Sequence, residues 1–171
     1  MQPGQTLCDC CAAPGGKTFS LAEALENRGK VYSFDLYKGR VKLIQQGAQR
    51  LGLSCVQAEQ RDGQKSYEGL PLMDGVLCDV PCSGYGVIRR KPEIRYKPVS
   101  SVKELPKLQY EILTNGASLV KPGGLLVYAT CTLNPAENGE VAKRFLSEHP
   151  DFEPAEFSLP GVERLVDEPA H

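Results

Sequence analysis

Five short apolar runs separated by segments of helical periodicity constrain this chain more than any other feature. The runs cover residues 6–11, 30–35, 54–58, 74–79 and 125–130. Between them, residues 17–27 and 39–51 place Leu21, Ala22 and Leu25, then Val41, Ile44, Ala48 and Leu51, at near-helical spacing; Gly29 and Gly52 follow as stops. Two more helices are predicted over 104–119 and 137–148, with Lys121-Pro122-Gly123-Gly124 as the turn before the fifth run. This alternation predicts an α/β fold: a mainly parallel sheet with helices on both faces. Such sheets bind ligands beyond the C-terminal ends of their strands. The residues that close each run are therefore the first candidates for chemistry.

At 171 residues the chain suits a single domain, with its core over 2–152. A chain of this size buries roughly 70% of its unfolded surface, enough for a real core. A net charge of −1 gives the whole domain no electrostatic footprint for nucleic acid. Basic residues nevertheless gather locally: Arg89, Arg90, Lys91, Arg95, Lys97, Lys103 and Lys107 share one stretch, either a solvated loop or a phosphate-contacting surface. They lie in or just after a long irregular segment, 80–102, which holds Pro81, Pro92 and Pro98; loops of that length in compact domains are usually functional or disordered. No apolar run approaches the ~20 residues needed to cross a bilayer, and no signal peptide opens the chain. Seven cysteines, several in predicted buried strands (Cys8, Cys10, Cys78), read as free thiols in a reducing, cytoplasmic compartment. Cys8-x-Cys10-Cys11 lacks zinc spacing and the only histidines, His149 and His171, are distant, so no metal is expected. The tail is predicted as a short strand near Phe152 followed by irregular chain. Both ends read as cut: the first strand starts almost at once, and no closing hairpin follows the last helix.

Residues 9–18 form a strand end, a Gly-containing loop and a helix start, whose unpaired backbone N–H groups favour negative charge. The segment is neither GxGxxG nor a phosphate loop. Asp35 closes the second run, where a carboxylate accepts hydrogen bonds from ribose hydroxyls or, alternatively, caps the next helix. Asp62 follows the third strand and suits an adenine amino group, or simply a turn beside Gly63. Asp79 ends an otherwise apolar run, where a carboxylate needs a partner; it could bond the Watson–Crick edge of a pyrimidine or lie exposed at the strand end. Cys82, in Asp79-Val80-Pro81-Cys82-Ser83-Gly84, and Cys131, in Tyr128-Ala129-Thr130-Cys131-Thr132, follow two of the runs. As a nucleophile Cys131 must react as the thiolate, favoured by neighbours such as Lys17. Glu137 and Asn138 open the last helix, where acidic residues suit the macrodipole.

Four motifs, residues 11–18, 79–86, 91–96 and 128–138, occur together and in order. Jointly they resemble the RNA cytosine-5 methyltransferases of the NOL1/NOP2/Sun family, most closely its Sun-like bacterial group acting on 16S rRNA. The resemblance covers residues 2–152. It implies a Rossmann-like methyltransferase fold with S-adenosyl-L-methionine as methyl donor. Carried over residue by residue, Cys11, Ala12, Ala13, Pro14, Gly15, Gly16 and Lys17 hold the methionine part, Asp35 the ribose and Asp62 the adenine side. Asp79 lies by the methyl group and the target base. Cys131 is the nucleophile that adds to cytosine C6, and Cys82 assists release of the methylated RNA. Arg89, Arg90, Lys91 and Arg95 become RNA contacts of a monomeric enzyme. Cys10 stands where the family usually has a plain hydrophobe, and Gly139 where an acidic residue is common. The family's N-terminal RNA-binding region and final strands are not seen in this sequence. A tRNA substrate, a DNA-type enzyme using the Cys82 thiol, and a non-catalytic RNA- or cofactor-binding fragment are the competing readings.

Overall fold

The computed structural model describes residues 1–155. Five strands form one sheet in the order β3-β2-β1-β4-β5: β1 (Thr6–Asp9), β2 (Lys30–Asp35), β3 (Val56–Gln60), β4 (Met73–Asp79) and β5 (Val120–Ala129). Every neighbouring pair is parallel. The chain steps outward from β1 to β3, then crosses back to β4, so the order reverses between β1 and β4. A crevice beyond the strand ends is expected at that reversal.

Helices cover both faces, as the alternation predicts. Successive strand residues point to opposite sides. Ala22 of α1 (Gly16–Ala24) and Ala48 of α2 (Lys38–Leu51) share a buried apolar cluster with Leu7 and Val31. Their chain neighbours Cys8, Tyr32 and Phe34 join Val76 and Cys78 against α3 (Leu105–Ala117) and α4 (Gly139–Glu148). Phe34, Met73 and Leu113 are fully buried there, each contributing about 1.5–3 kcal/mol through removal from water. Cys8, Cys10 and Cys78 act as small apolar fillers of the same core.

The differences from sequence expectation are local. β1 ends at Asp9 because Cys10 and Cys11 turn: Cys10 N–H bonds Leu77 O at 2.9 Å and Ala12 N–H bonds Phe34 O at 2.8 Å, tying the loop to strands on both sides. α1 stops at Ala24 rather than Asn27, since Glu26 and Asn27 take positive φ. The Asn27 side chain then donates to Gly52 O at 3.0 Å and accepts from Cys55 N–H at 3.0 Å, which joins two connections. Residues 121–124 bulge from β5, which already begins at Val120. No strand forms near Phe152: its N–H closes a turn onto His149 O and its ring packs edge-on against Phe145. The long segment 80–102 is built from three short 3₁₀ turns, Tyr85–Val87, Pro92–Tyr96 and Val99–Val102. Among the described residues no helix is long and apolar enough to cross a membrane.

Gly29, between α1 and β2, has φ +126°, and a Cβ there would lie 2.3 Å from the Gln5 carbonyl oxygen. That carbonyl accepts the Lys30 N–H at the start of the β1–β2 ladder, so it cannot yield without loosening the sheet. Gly29→Ala is therefore expected to destabilise the fold by about 3 kcal/mol or more, seen as a melting-temperature loss on the order of 10 °C. An unchanged melting curve would contradict this account.

Candidate active site

The C-terminal ends of β1, β2, β4 and β5 share one edge of the sheet, and every catalytic residue expected from the sequence lies along it. After β1, residues 10–15 loop into α1, whose N-terminal cap is Gly15 at φ +115°. Phe19 packs so closely over Gly15 that a Cβ would meet its ring at 2.4 Å. The Gly16 side of the loop is open, which leaves the helix N-terminus accessible and favourable to negative charge. Asp35, at the tip of β2, is buried; it accepts the Tyr37 N–H at 3.1 Å and faces Arg40 at 3.6 Å. Arg40 also donates to the Ala13 carbonyl at 3.0 Å, so it braces the loop against the strand tip. Asp62 lies further along the same edge, where its carboxylate accepts the Gln64 N–H at 3.0 Å and approaches Lys65 at 3.9 Å, forming a local turn.

Asp9 closes β1 beneath this loop. Thr18 Oγ1 donates to it at 2.8 Å, and its other oxygen has no hydrogen-bond partner among the described residues. Burial pushes its carboxyl up to about 7, against the opposing Thr18 bond. Across the crevice, Lys17 Nζ bonds Asp79 Oδ2 at 2.6 Å, joining the first turn of α1 to the tip of β4. That bond raises the Lys17 ammonium further above neutrality.

The two thiols meet beyond β4 and β5. Cys82 Sγ and Cys131 Sγ are 2.9 Å apart, and the Cys131 N–H points to Cys82 Sγ at 3.2 Å. The loops are laced side by side: Ser83 Oγ and Thr132 Oγ1 share a hydrogen bond of 2.7 Å, and Gly86 N–H donates to Cys131 O at 3.0 Å. Cys131 is exposed and Cys82 half-buried. Burial, then the bond with Cys131, pushes the Cys82 thiol up to about 11. Burial likewise pushes the Cys11 thiol up, so Cys11 is a poor nucleophile although it sits in the first motif. Iodoacetamide at pH 7.5 should therefore modify Cys131 well before Cys82 or Cys11. Peptide mapping by mass spectrometry reads the order, and first labelling at Cys82 would contradict it.

Sequence reasoning missed the residues that hold these loops. Glu137 is fully buried, not a solvated helix cap. Its carboxylate accepts Ser83 N–H at 2.8 Å, Gln109 Nε2 at 3.0 Å and Asn134 Nδ2 at 2.9 Å. Burial alone would raise its pKa; bonds from Ser83, Asn134 and Gln109 outweigh it and hold the carboxyl below the usual range. Gln109 on α3 also donates to Pro81 O at 2.9 Å. Asn138 reaches the other loop, accepting from Thr130 Oγ1 and donating to Thr132 O at 2.7 Å. The acidic residue and asparagine were visible in the sequence, but their partners lie far away in the chain.

Arg89, Arg90, Lys91 and Arg95 are exposed on the segment that follows the Cys82 loop. Ile94 anchors that segment: it is buried over Gly84, where a Cβ would meet Ile94 Cδ1 at 2.9 Å. The basic side chains are thereby carried on a platform fixed directly to the Cys82 loop.

A family model for the 16S rRNA methyltransferases RsmB/F matches residues 1–167. The chain belongs to the RsmB/F family. It is 51% identical over 154 residues to the "probable ribosomal RNA small subunit methyltransferase B" of Bacillus subtilis, covering 88% of this chain and 34% of that protein. It is 40% identical over 153 residues to the ribosomal RNA small subunit methyltransferase B of Serratia proteamaculans, covering 88% and 35%. Among solved structures, NSun6 from Pyrococcus horikoshii with SFG superposes with a TM-score of 0.79 at 30% identity, covering 86% of this chain and 38% of that one. The chain spans about a third of the length of these curated relatives. The RsmB/F sheet is the Rossmann-like methyltransferase fold, and the family's methyl donor is S-adenosyl-L-methionine. The residues present fit that group: an open helix N-terminus at Gly16, a buried carboxylate at the tip of β2, and an unpaired oxygen of Asp9 beneath the loop. Among the described residues no cluster of His, Cys, Asp and Glu could hold a metal ion.

Proposed function

We propose that this chain forms the catalytic domain of an enzyme that methylates C5 of a cytosine in 16S rRNA through a covalent Cys131–C6 adduct. The observation that carries the reading is the Sγ–Sγ distance of 2.9 Å between Cys131 and Cys82, beside the Lys17–Asp79 pair. Residues 11–17 and Asp35 hold S-adenosylmethionine, with Asp62 toward the adenine. Bound there, it supplies an electrophilic methyl group for which C5 is the nucleophile.

Cytosine C5 is a weak nucleophile until a thiolate adds at C6. The Cys131 thiolate forms the C6–S bond, and the displaced electron pair makes C5 electron-rich. The ring nitrogen N3 takes up a proton from water as the charge develops there, and Asp79 stabilises this state by accepting its N–H; that proton returns to water when the adduct breaks down. After methylation a base removes the C5 proton, the C6–S bond breaks, and the electron pair returns to Cys131 as thiolate. Cys82, against Cys131, assists that release. The target base must leave its stack, at a cost of a few kcal/mol, and single-stranded RNA makes this easier. Arg89, Arg90, Lys91 and Arg95 contact the RNA backbone.

The test uses the full-length protein with S-adenosylmethionine and unmethylated 16S rRNA. Bisulfite mapping should find one new 5-methylcytosine, absent with Cys131→Ala. Methylation by the Cys131→Ala protein overturns the covalent mechanism. Methylation of tRNA instead of rRNA overturns the substrate.

A further inference from the structure

We infer that Glu137 and Asn138 form a divided anchor for the two thiol loops, which also bond each other, with Glu137 chiefly positioning Cys82 for release and Asn138 chiefly positioning Cys131 for addition. This rests on the roles of Cys131 and Cys82 proposed above. The two residues are adjacent in the chain, on the turn that enters α4, yet their side chains serve different loops. Glu137 takes the backbone N–H of Ser83, the residue after Cys82. Through Gln109 it also reaches Pro81 O, the residue before Cys82. Asn138 holds Thr130 and Thr132, the residues either side of Cys131. Each thiol is thus gripped on both flanks by one residue of a shared turn, itself fixed by Tyr128 OH donating to Glu137 O at 2.6 Å.

A buried carboxylate with no cationic partner among the described residues is an expensive way to cap a helix. The three donors around Glu137 keep it charged, and a charged acceptor bonds a backbone N–H about twice as strongly as a neutral one. That strength suits a loop which must hold its place while the neighbouring thiol moves onto and off a base. Ser83 N–H and Gln109 Nε2 both bond Oε2 and Asn134 Nδ2 bonds Oε1, so glutamine keeps a carbonyl for only one of these sets and offers it a neutral acceptor, about half as strong as the carboxylate. The grip on the Cys82 loop is then weakened while the Asn138 contacts to Thr130 and Thr132 remain.

The test follows adduct formation and decay by quenched-flow and denaturing gels. It uses the full-length protein, S-adenosylmethionine and a 16S rRNA transcript. Glu137→Gln should slow decay of the adduct by about 10²-fold, the cost of a misplacement on the order of 1 Å, with its formation nearly unchanged. Asn138→Ala should slow formation by a similar factor and leave decay nearly unchanged. S-adenosylmethionine affinity, measured by calorimetry, should match wild type in both. If Glu137→Gln fails to fold, Gln109→Leu, which removes one donor and the Pro81 contact, should slow decay in the same direction. Equal effects on both steps, or on neither, overturn the divided anchor. If Cys82→Ala itself accumulates no adduct, the failure lies in the thiol assignment instead.

Discussion

A full-length Cys82→Ala protein, incubated with S-adenosylmethionine and unmethylated 16S rRNA, should convert most of its molecules into an RNA–protein adduct that survives denaturing electrophoresis. The physical basis is the asymmetry of the thiol pair. Cys131 is exposed at the mouth of the site, while Cys82 sits deeper with its thiol pushed up to about 11, so it is protonated at neutral pH. The exposed partner is the one suited to attack. Removing Cys82 leaves the grip of Asn138 on Thr130 and Thr132 in place, so the bond to the base still forms. The step that suffers is its cleavage. Cys131→Ala, by contrast, should form no adduct and lose at least about 10⁴-fold in turnover, as expected for removal of a nucleophile. The double variant should behave like Cys131→Ala. Adduct formation by Cys131→Ala but not by Cys82→Ala would make Cys82 the nucleophile, as in the DNA-type reading.

The second large effect concerns stability. Asp9 is fully buried beside Thr18, and burial pushes its carboxyl from 3.8 to about 7. Between those values the native protein holds a proton that the unfolded chain has lost, so stability falls as pH rises. The contribution of the protonated group is fully present below about pH 4 and gone once pH passes about 7. At about 1.4 kcal/mol for each unit, the loss is on the order of 4 kcal/mol. Asp9→Asn removes the titration and keeps an acceptor for Thr18. It should therefore melt above wild type at pH 8, by on the order of 10 °C, with the gap closing toward pH 4. Thermal melts across that range check this, and a gap independent of pH would contradict it.

The sheet was legible because its evidence is local. Largely apolar runs such as residues 31–34 announce strands buried on both faces, and the stops at Gly29 and Gly52 mark where helices give way. Asp35, Asp79 and Cys131 could be placed at strand tips by the same means. Where side chains act across the fold, local reading fell short. Glu137 at the start of a helix satisfies the macrodipole rule, and that rule carries no information about Ser83, 54 residues away. Gln109 reads as one more polar position on an amphipathic helix, although it lies buried between two loops. Phe152 has the look of a strand residue, but a turn from His149 and edge-on packing against Phe145 claim it first. Arg40 gave no signal, since nothing in sequence distinguishes an arginine that reaches back to Ala13 from one facing water.

The reversal of strand order between β1 and β4 separates two kinds of inheritance. Apart from Asp79, the groups suited to the nucleoside-type ligand stand before β4, on β1, β2 and the connections that follow β1, β2 and β3. Both thiols and their anchors stand after it. The basic segment 85–97 adds no strand to the sheet and hangs from the second half by Ile94. On the proposed reading, the exposed basic side chains of that segment, and with them the contacts to nucleic acid, can change while the sulfur chemistry and the donor site stay as they are. On that reading, one crossing of the chain separates what selects the target from what performs the reaction.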